Sequence, residues 1–440
     1  MNQFALLRTR RFAPFFATQA LGAFNDNAFR NATLMLVAFG MGMSTAQIAL
    51  YSNLALALFI LPFFLFSASA GQLAEKLEKT RIVRWVKLFE IAAMIVAACG
   101  FLLHSLPLLL VVLFMMGVHS TVFGPIKYAI LPQALHADEL VGGNGMVEMG
   151  TSLAVLLGMV GGNALMAVAG SGVYLASAAV IAVALLGYAA SRAIPPAPAT
   201  APELRFNWNP FAETARVLRI VRDDRTVFVA IIGISWFWFF GSVFTAQLPN
   251  YTRVDLGGGE SVSILVLALF AIGTGTGSLL CEKLSRKRVE PGIVPLGAFG
   301  LSAFGIDLFF ARHGAPPALN LDWLGFLAAS GSARIAIDLL MLGVSAGLFV
   351  VPLFALVQSR TPPSQLSRVI AGNNVINAVF IVVAALSAIG LQRAGLTIPQ
   401  VFLITALLNV LVAIYLFVRV PEFVVRFLCW IRMRDTSSES

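Results

Sequence analysis

The sequence predicts an all-α integral membrane protein of about twelve transmembrane helices, arranged as two six-helix repeats. Three observations carry that expectation: an apolar composition, a regular spacing of apolar segments, and similar motifs at matching places in the two halves. Of 440 residues, 59% are hydrophobic and 12% charged, and the mean hydropathy is +0.87. Soluble domains are about 45–50% apolar and about 25% charged, so a soluble class is excluded. No segment between the apolar runs is long enough for an extramembrane catalytic domain.

Taken in order, the apolar segments fall near 12–40, 47–73, 82–103, 106–131, 141–169 and 172–190 in the first half. The second half has them near 226–250, 261–281, 291–312, 334–358, 370–392 and 398–420. Each has roughly the 20 residues that a membrane-spanning helix requires. Arg8, Arg10 and Arg11 precede the first segment, as in a signal peptide. That run is too long for a signal core, however, and contains Asp26 and Arg30, so an uncleaved helix is expected. The longest interruption begins at 191 with a Pro-rich stretch, IPPAPATAPELRFNWNP, followed by FAETARVLRIVRDD, a basic amphipathic helix. The expected organisation is a six-helix bundle at 1–190, a cytoplasmic linker at 191–225, a second bundle at 226–420 and a cytoplasmic tail at 421–440.

The formal charge of +9 is explained by topology. With the N-terminus inside, Arg253, Arg312, Arg334 and Arg393 fall outside and Arg30 lies within a span. Every other Lys and Arg falls on the cytoplasmic side, as the positive-inside rule requires. Both termini are therefore expected in the cytoplasm of a bacterial inner-membrane protein, and nucleic acid is not expected as a partner. Cys99, Cys281 and Cys429 are far apart and show no metal or redox spacing. Neither a metal nor a cofactor is expected.

Two motif pairs reveal the repeat. GQLAEKLEKTR (Gly71 to Arg81) matches SLLCEKLSRKR (Ser278 to Arg288), and FGPIKYAILPQ (Phe123 to Gln133) matches VVPLFALVQSR (Val350 to Arg360). Parallel six-helix repeats are the architecture of major facilitator transporters, and the first pair resembles the signature loop of that superfamily. An acid at a helix end can pair with bases from another helix in one state and release them in the other. Glu75, Lys76 and Arg81, with Glu282, Lys283 and Arg288, are the gating candidates on this basis. A solvated basic loop with no switching role is the plainer alternative.

Polar residues inside apolar spans are costly, about 2.5–3.5 kcal/mol for a charge near the middle, and they mark function. LGAFNDNAFRN (Leu21 to Asn31) is the densest such stretch. Asp26 and Arg30 are spaced i, i+4, as an ion pair would be, and Asn27 and Asn31 form a neighbouring stripe. They either pin the helix to a neighbour or line a water-filled cavity. Lys127 either snorkels to the interface or enters that cavity. Asn144, Glu148 and Ser152 share one helix face, and Asn377 is the second-half counterpart of Glu148. Glu90 is expected to pair with Lys87 and Asp338 with Arg334. His119 reads as a packing residue, and Asp307 is left without a partner. Trp238, in an aromatic run from Trp236 to Phe240, together with Thr245 and Gln247, supplies a contrasting uncharged wall. One polar and one apolar wall suit an amphiphile with a charged head and an acyl tail.

AFNDNAF, GQLAEKLEK, FGPIKYAILP, GGNGMVEMGTSLAVLLG, SWFWFFG and VVPLFALVQ together resemble the bacterial lysophospholipid transporter family. They are also similar to the membrane half of fused transporter–acyltransferases. The resemblance implies inward flipping of lysophospholipids such as lysophosphatidylethanolamine, followed by re-acylation. It implies that Asp26, Lys127 and Glu148 belong to the headgroup path. Some members carry an arginine in the seventh span, where this chain offers Thr245 and Gln247. The chain reaches Ser440 without an acyltransferase sequence, so a separate acyltransferase is the expected partner. The alternative function is a proton-coupled exporter of amphipathic drugs, with Asp26 or Glu148 carrying the proton. A lipid enzyme is disfavoured, because no nucleophile–base pair or HxxxxD signature is present.

Overall fold

The computed structural model describes residues 3–311 and 320–438, the side chains of Thr45 and of 433–438 excepted. Arg312, counted above on the outer side, lies outside the described residues. The described chain is helical, with one isolated bridge between Gly258 and Leu321.

After a short 3-10 turn, α1 (Ala13–Met35) runs into a π-helical turn at Leu36–Gly40. α2 (Thr45–Lys76) opens with a capping box, in which the Ser44 hydroxyl accepts from the Gln47 N–H and the Gln47 amide oxygen accepts from the Ser44 N–H. Then come α3 (Lys79–Leu102), α4 (Leu106–Ala129), the single turn α5 (Leu131–Ala134), α6 (Leu140–Met166) and α7 (Gly172–Arg192). α8 (Pro210–Asp223) is the amphipathic helix, and Asp224 caps α9 (Arg225–Val254) by accepting from the N–H groups of Thr226 and Val227. The remainder is α10 (Glu260–Leu284), α11 (Val294–Phe310), α12 (Trp323–Ala328), α13 (Ser332–Arg360), α14 (Leu366–Arg393), α15 (Ile398–Arg419) and α16 (Glu422–Ser438).

Among the described residues, 11 helices are long and apolar enough to cross a membrane. α1 has the length, at 23 residues, but its Asn, Asp and Arg side chains dilute its hydropathy. It completes the set that the sequence predicts.

The chain forms two compact units. The first comprises the described residues of Met1–His136, Leu153–Val221 and Thr361–Ala378. Its centre is an apolar cluster in which Phe29, Met94, Phe101, Leu113, Met116 and Val180 are all buried. Gly158 and Gly162 of α6 lie against the α1 backbone, where a Cβ on either would collide with the carbonyl oxygen of Phe24 or Ala28. Such small-xxx-small pairs are how membrane helices approach closely without a hydrophobic driving force. The buried stripe of α8, Val217 and Val221, covers Gly372 at the start of α14.

The stretch between α7 and α8 is fastened along its length to the end of α2 and the start of α3. Gln72 and Asn207 exchange hydrogen bonds, Lys76 Nζ donates to the Leu204 carbonyl at 2.6 Å, and Thr80 Oγ1 donates to that of Pro195 at 2.8 Å. The N–H groups of Thr200 and Ala201 both donate to the Glu75 carbonyl, at 3.0 and 2.9 Å. Prolines supply no donors here, so side chains from the bundle provide the fastening.

The second unit comprises the described residues of Ala137–Ser152, Arg222–Arg360 and Val379–Ser440. Here α10 and α13 pack through two reciprocal glycine pairs, Gly273 and Gly277 against Gly343 and Gly347, with no room for a Cβ at any of them. α9 is wedged by aromatic stacking: Phe240 on Phe244 at 4.5 Å and Phe244 on Phe402 of α15 at 4.3 Å. Asn409 of α15 ties three helices, accepting from Trp236 Nε1 at 2.7 Å and donating to the Ala298 carbonyl and Ser302 Oγ, each at 2.8 Å. Arg334 pairs with Asp307 on α11, not with Asp338 as its i, i+4 spacing suggests. Asp307 thereby gains the partner the sequence did not supply.

Candidate functional site

The polar stretch of α1 stays helical because its amides turn inward on the helix. Asn27 Nδ2 donates to the Ala23 carbonyl and Asn31 Nδ2 to that of Asn27, each at 2.9 Å. The expected Asp26–Arg30 ion pair is not formed. Arg30 donates instead to Asn27 Oδ1 at 2.9 Å, and Asp26 Oδ2 accepts from Ser120 Oγ of α4 at 2.7 Å. The Asp26 carboxylate thus finds its partner on a facing helix, while the Arg30 guanidinium stays on its own helix with Asn27. Asp26, Asn27 and Arg30 are half-buried, while Asn25 is fully buried.

Behind Asp26 lies a cluster of ionisable groups with almost no exposure. Lys87 Nζ donates to Glu90 Oε2 at 2.6 Å, the pairing that the spacing predicts. Asn25 Nδ2 donates to the other Glu90 oxygen at 2.8 Å. His119 Nε2 lies 3.1 Å from Glu90 Oε2, and its Nδ1 lies 3.9 Å from Asp26 Oδ1. His119, read from the sequence as a packing residue, thus stands between carboxylates of two different helices, although neither ring nitrogen makes a hydrogen bond among the described residues. Room for Lys87 comes from two glycines: a Cβ at Gly22 would stand 2.6 Å from its Nζ, and one at Gly187 would stand 3.4 Å away. Phe123 offers its ring to the same ammonium at 5.7 Å.

The other candidates are dispersed. Lys127 is half-buried, with its ammonium 5.2 Å from the Tyr128 ring. Asn377 is buried in the first unit. In the second unit, Asn144 and Gln358 exchange amide hydrogen bonds, and Glu148 is buried one turn further along α6. Gln247 is buried and accepts from Gln392 Nε2 at 2.7 Å. Thr245 is exposed and donates to the Gly241 carbonyl. Of the aromatic run, Trp236, Phe237, Phe239 and Phe240 are buried, and Trp238 is half-buried beside Phe237.

The two acid–base loops differ in their partners. Glu75 is fully buried and accepts from Arg368 twice, from Nε at 2.6 Å and from the backbone N–H at 3.1 Å. Lys76 is bonded to the linker as described, and Arg81 covers the Trp85 ring at 4.9 Å. In the second half, Glu282 is buried while Lys283 and Arg288 are exposed. That loop is held by α16: Trp430 Nε1 donates to the Leu284 carbonyl at 2.8 Å, and Arg426 forks onto Glu290. Sequence reasoning missed His119, Ser120, Arg368 and Gln358 as partners. The only signal for His119 was a polar side chain in an otherwise apolar span.

The family model described as Major Facilitator Superfamily matches residues 15–385. The chain belongs to the major facilitator superfamily. Like its superfamily, it is a multi-pass membrane transporter rather than an enzyme. Among curated relatives it is similar to "Lysophospholipid transporter LplT" of Enterobacter sp. (strain 638), 29% identical over 353 residues, covering 78% of this chain and 79% of that protein. The protein of the same name from Serratia proteamaculans (strain 568) is 28% identical, with 80% and 81% covered. Among solved structures, the superfamily transporter FucP in the outward conformation aligns with a TM-score of 0.69 at 14% identity, over 93% of this chain and 99% of FucP. A bacterial homologue of the iron transporter ferroportin in an outward-facing state gives 0.60 at 16%, over 91% and 99%. These structural likenesses support the major facilitator fold.

Proposed function

We propose that this superfamily member transports lysophospholipids, such as lysophosphatidylethanolamine, from the outer to the inner leaflet of the bacterial inner membrane by alternating access. The observation that carries the reading is the similarity over four-fifths of the chain to proteins named lysophospholipid transporters. The site chemistry supports it. Asp26 presents a buried carboxylate oxygen without a hydrogen-bond partner, suited to an ammonium, and the half-buried Arg30 guanidinium suits a phosphate. Asn27 and Asn377 extend the headgroup path within the first unit, and Asn144 and Glu148 are substrate contacts of the second unit taken by itself. Lys127 is the path's cationic member. The aromatic helix α9, with Trp238, Thr245 and Gln247, accommodates the acyl chain.

Glu75 and Arg368 act as the cytoplasmic latch, with Lys76 and Arg81 beside them. Glu282, Lys283 and Arg288 form the second-half counterpart. Both termini lie in the cytoplasm, where an acyltransferase receives the flipped lipid. The test is a flip assay in proteoliposomes with labelled lysophosphatidylethanolamine at symmetric pH. Label crossing faster than in protein-free vesicles is expected. No crossing, together with gradient-driven efflux of a cationic dye, would overturn the reading in favour of drug export.

A further inference from the structure

The chain beyond α15 divides its side chains three ways round one helix, α16. Phe423, Phe427 and Trp430, spaced i, i+4, i+7, form the inward stripe, with Phe423 and Trp430 buried. Val424, Leu428 and Ile431 repeat that spacing one residue on, and all three are exposed, Leu428 at 51%. Glu422, Arg426 and Cys429 repeat it on the opposite flank. A helix facing water on its outer side presents polar residues there, so the exposed apolar flank marks a contact surface.

We infer that α16 is seated in the lipid surface at the cytoplasmic end of the second unit and selects anionic phospholipid headgroups there. The choice of side rests on the cytoplasmic termini proposed above, and the lipid seat rests on continuity and charge. α15 is a membrane-spanning helix, so its exposed Leu411, Ile414 and Val418 face lipid. It ends at Arg419, Pro421 prevents its continuation, and α16 begins at Glu422. The apolar flank of α16 therefore takes up where the lipid-facing side of α15 leaves off. Interfacial helices of this kind bury their apolar face about 5–10 Å into the boundary between headgroups and acyl chains.

Bases are in surplus at the same level. Of the acids in 282–290 and 419–432, Glu282 is buried, Glu290 accepts from Arg426 at 2.8 Å, and Glu422 accepts from Arg360 at 2.9 Å. Lys283, Arg286, Arg288, Arg419 and Arg432 are exposed around them. Acidic headgroups lying over acyl chains complement both the charge and the apolar stripe in one plane. The same helix holds the connection between α10 and α11 at both ends, through Trp430 on the Leu284 carbonyl and Arg426 on Glu290. Lipid seating thus reaches the loop that carries Lys283 and Arg288.

The test places one environment-sensitive fluorophore on the full chain in phosphatidylcholine nanodiscs. Cys281 is buried, so Leu428→Cys with Cys99→Ser and Cys429→Ser carries the fluorophore on the apolar flank. Cys99→Ser alone carries it at Cys429, on the polar flank. The Leu428→Cys fluorophore is expected to be quenched by lipid spin-labelled high on its acyl chain and shielded from aqueous iodide. The one at Cys429 is expected to be reached by iodide. Spin-labelled phosphatidylglycerol is expected to quench at about half the mole fraction of spin-labelled phosphatidylcholine, or less, and Arg419→Gln with Arg432→Gln to narrow that gap. Should Leu428→Cys fail to fold, Val424→Cys samples the same flank. Equal access of iodide to both fluorophores would overturn the proposal in favour of a water-facing helix. Equal quenching by the two lipids would overturn the anionic selection. Neither readout involves transport, so failure of the lysophospholipid reading leaves both standing. Side is read separately: an impermeant maleimide is expected to reach Cys429 of Cys99→Ser in inverted vesicles only. Reaction in right-side-out vesicles would overturn the choice of the cytoplasmic leaflet.

Discussion

Glu75 and Arg368, 293 residues apart in sequence, are joined by a side-chain bond of 2.6 Å and a second bond from the Arg368 backbone. The carboxylate therefore binds a guanidinium and the positive end of α14 together. Removing one partner of a buried pair strands the other, at a cost of about 3–5 kcal/mol. E75Q and R368Q are each expected to weaken this closure and lower lysophospholipid flipping about tenfold or more, the double variant less than the product of the two. Rates equal to wild type in both single variants would remove the latch role. Flipping in proteoliposomes is the measurement, with thermal unfolding in detergent as the control for folding.

Glycine spacing makes a second prediction. At Gly277 and Gly347 any side chain meets the opposing helix backbone, which cannot yield as a flexible side chain can. Gly277→Leu and Gly347→Leu are expected to destabilise the protein by about 1–3 kcal/mol or prevent assembly. Gly241→Ala is the control, because its added Cβ has nothing within 4 Å. Thermal unfolding of the three variants should rank them accordingly. Equal melting temperatures would mean that α10 and α13 separate at little cost.

Buried amides give a third. Asn409 serves Trp236, Ala298 and Ser302 together and is almost fully buried. Asn409→Leu leaves the indole N–H without its acceptor, a loss of about 1–3 kcal/mol. Adding Trp236→Phe removes the orphaned donor and is expected to restore part of that loss. A double-mutant cycle read by thermal unfolding isolates the term, and strict additivity would show that the bond carries none of it.

The proposed headgroup path makes a fourth prediction. Asp26→Asn and Glu148→Gln preserve shape while removing charge. Each is expected to cut lysophosphatidylethanolamine flipping by about tenfold to a hundredfold, the value of a charged hydrogen bond. Wild-type flipping in both would disprove the headgroup assignment, provided both variants insert and unfold normally.

Much of the fold was legible because apolar length and repeated motifs are local properties of a sequence. The site was legible only in part. Asp26 stood out because a carboxylate in an apolar span is costly wherever it points. Its partners did not, because they lie on α4, and distances between helices are absent from one sequence. The i, i+4 rule paired Asp26 with Arg30 and Arg334 with Asp338, whereas Asp26 bonds Ser120 on α4, Arg334 bonds Asp307 on α11, and Arg30 bonds Asn27 on its own helix. Polar groups in a packed helix bundle, whether half-buried like Asp26 or exposed like Arg334, bond to whichever neighbour is nearest, and that is often on another helix. Lys87 and Glu90 follow the local rule because Gly22 and Gly187 leave the ammonium a pocket beside its own helix.

Glu75 also links the proposed latch to the linker, which yields a fifth prediction. Its carboxylate holds Arg368, while its carbonyl accepts from Thr200 and Ala201. Gln72 and Lys76 fasten the same strand further along, next to the exposed Arg205. Trypsin cleaves after Arg205 only when this strand lifts away, so the cleavage rate reports the local opening equilibrium. Gln72→Leu removes the exchange with Asn207, and at about 1 kcal/mol per hydrogen bond it is expected to raise cleavage at Arg205 several-fold. Arg368→Gln should raise it too, although among the described residues no hydrogen bond joins Arg368 to the linker, because the proposed latch and the linker segment share Glu75 at the end of α2. Cleavage unchanged by Arg368→Gln but raised by Gln72→Leu would show that the strand is fastened independently of the latch. The two would then move separately during transport.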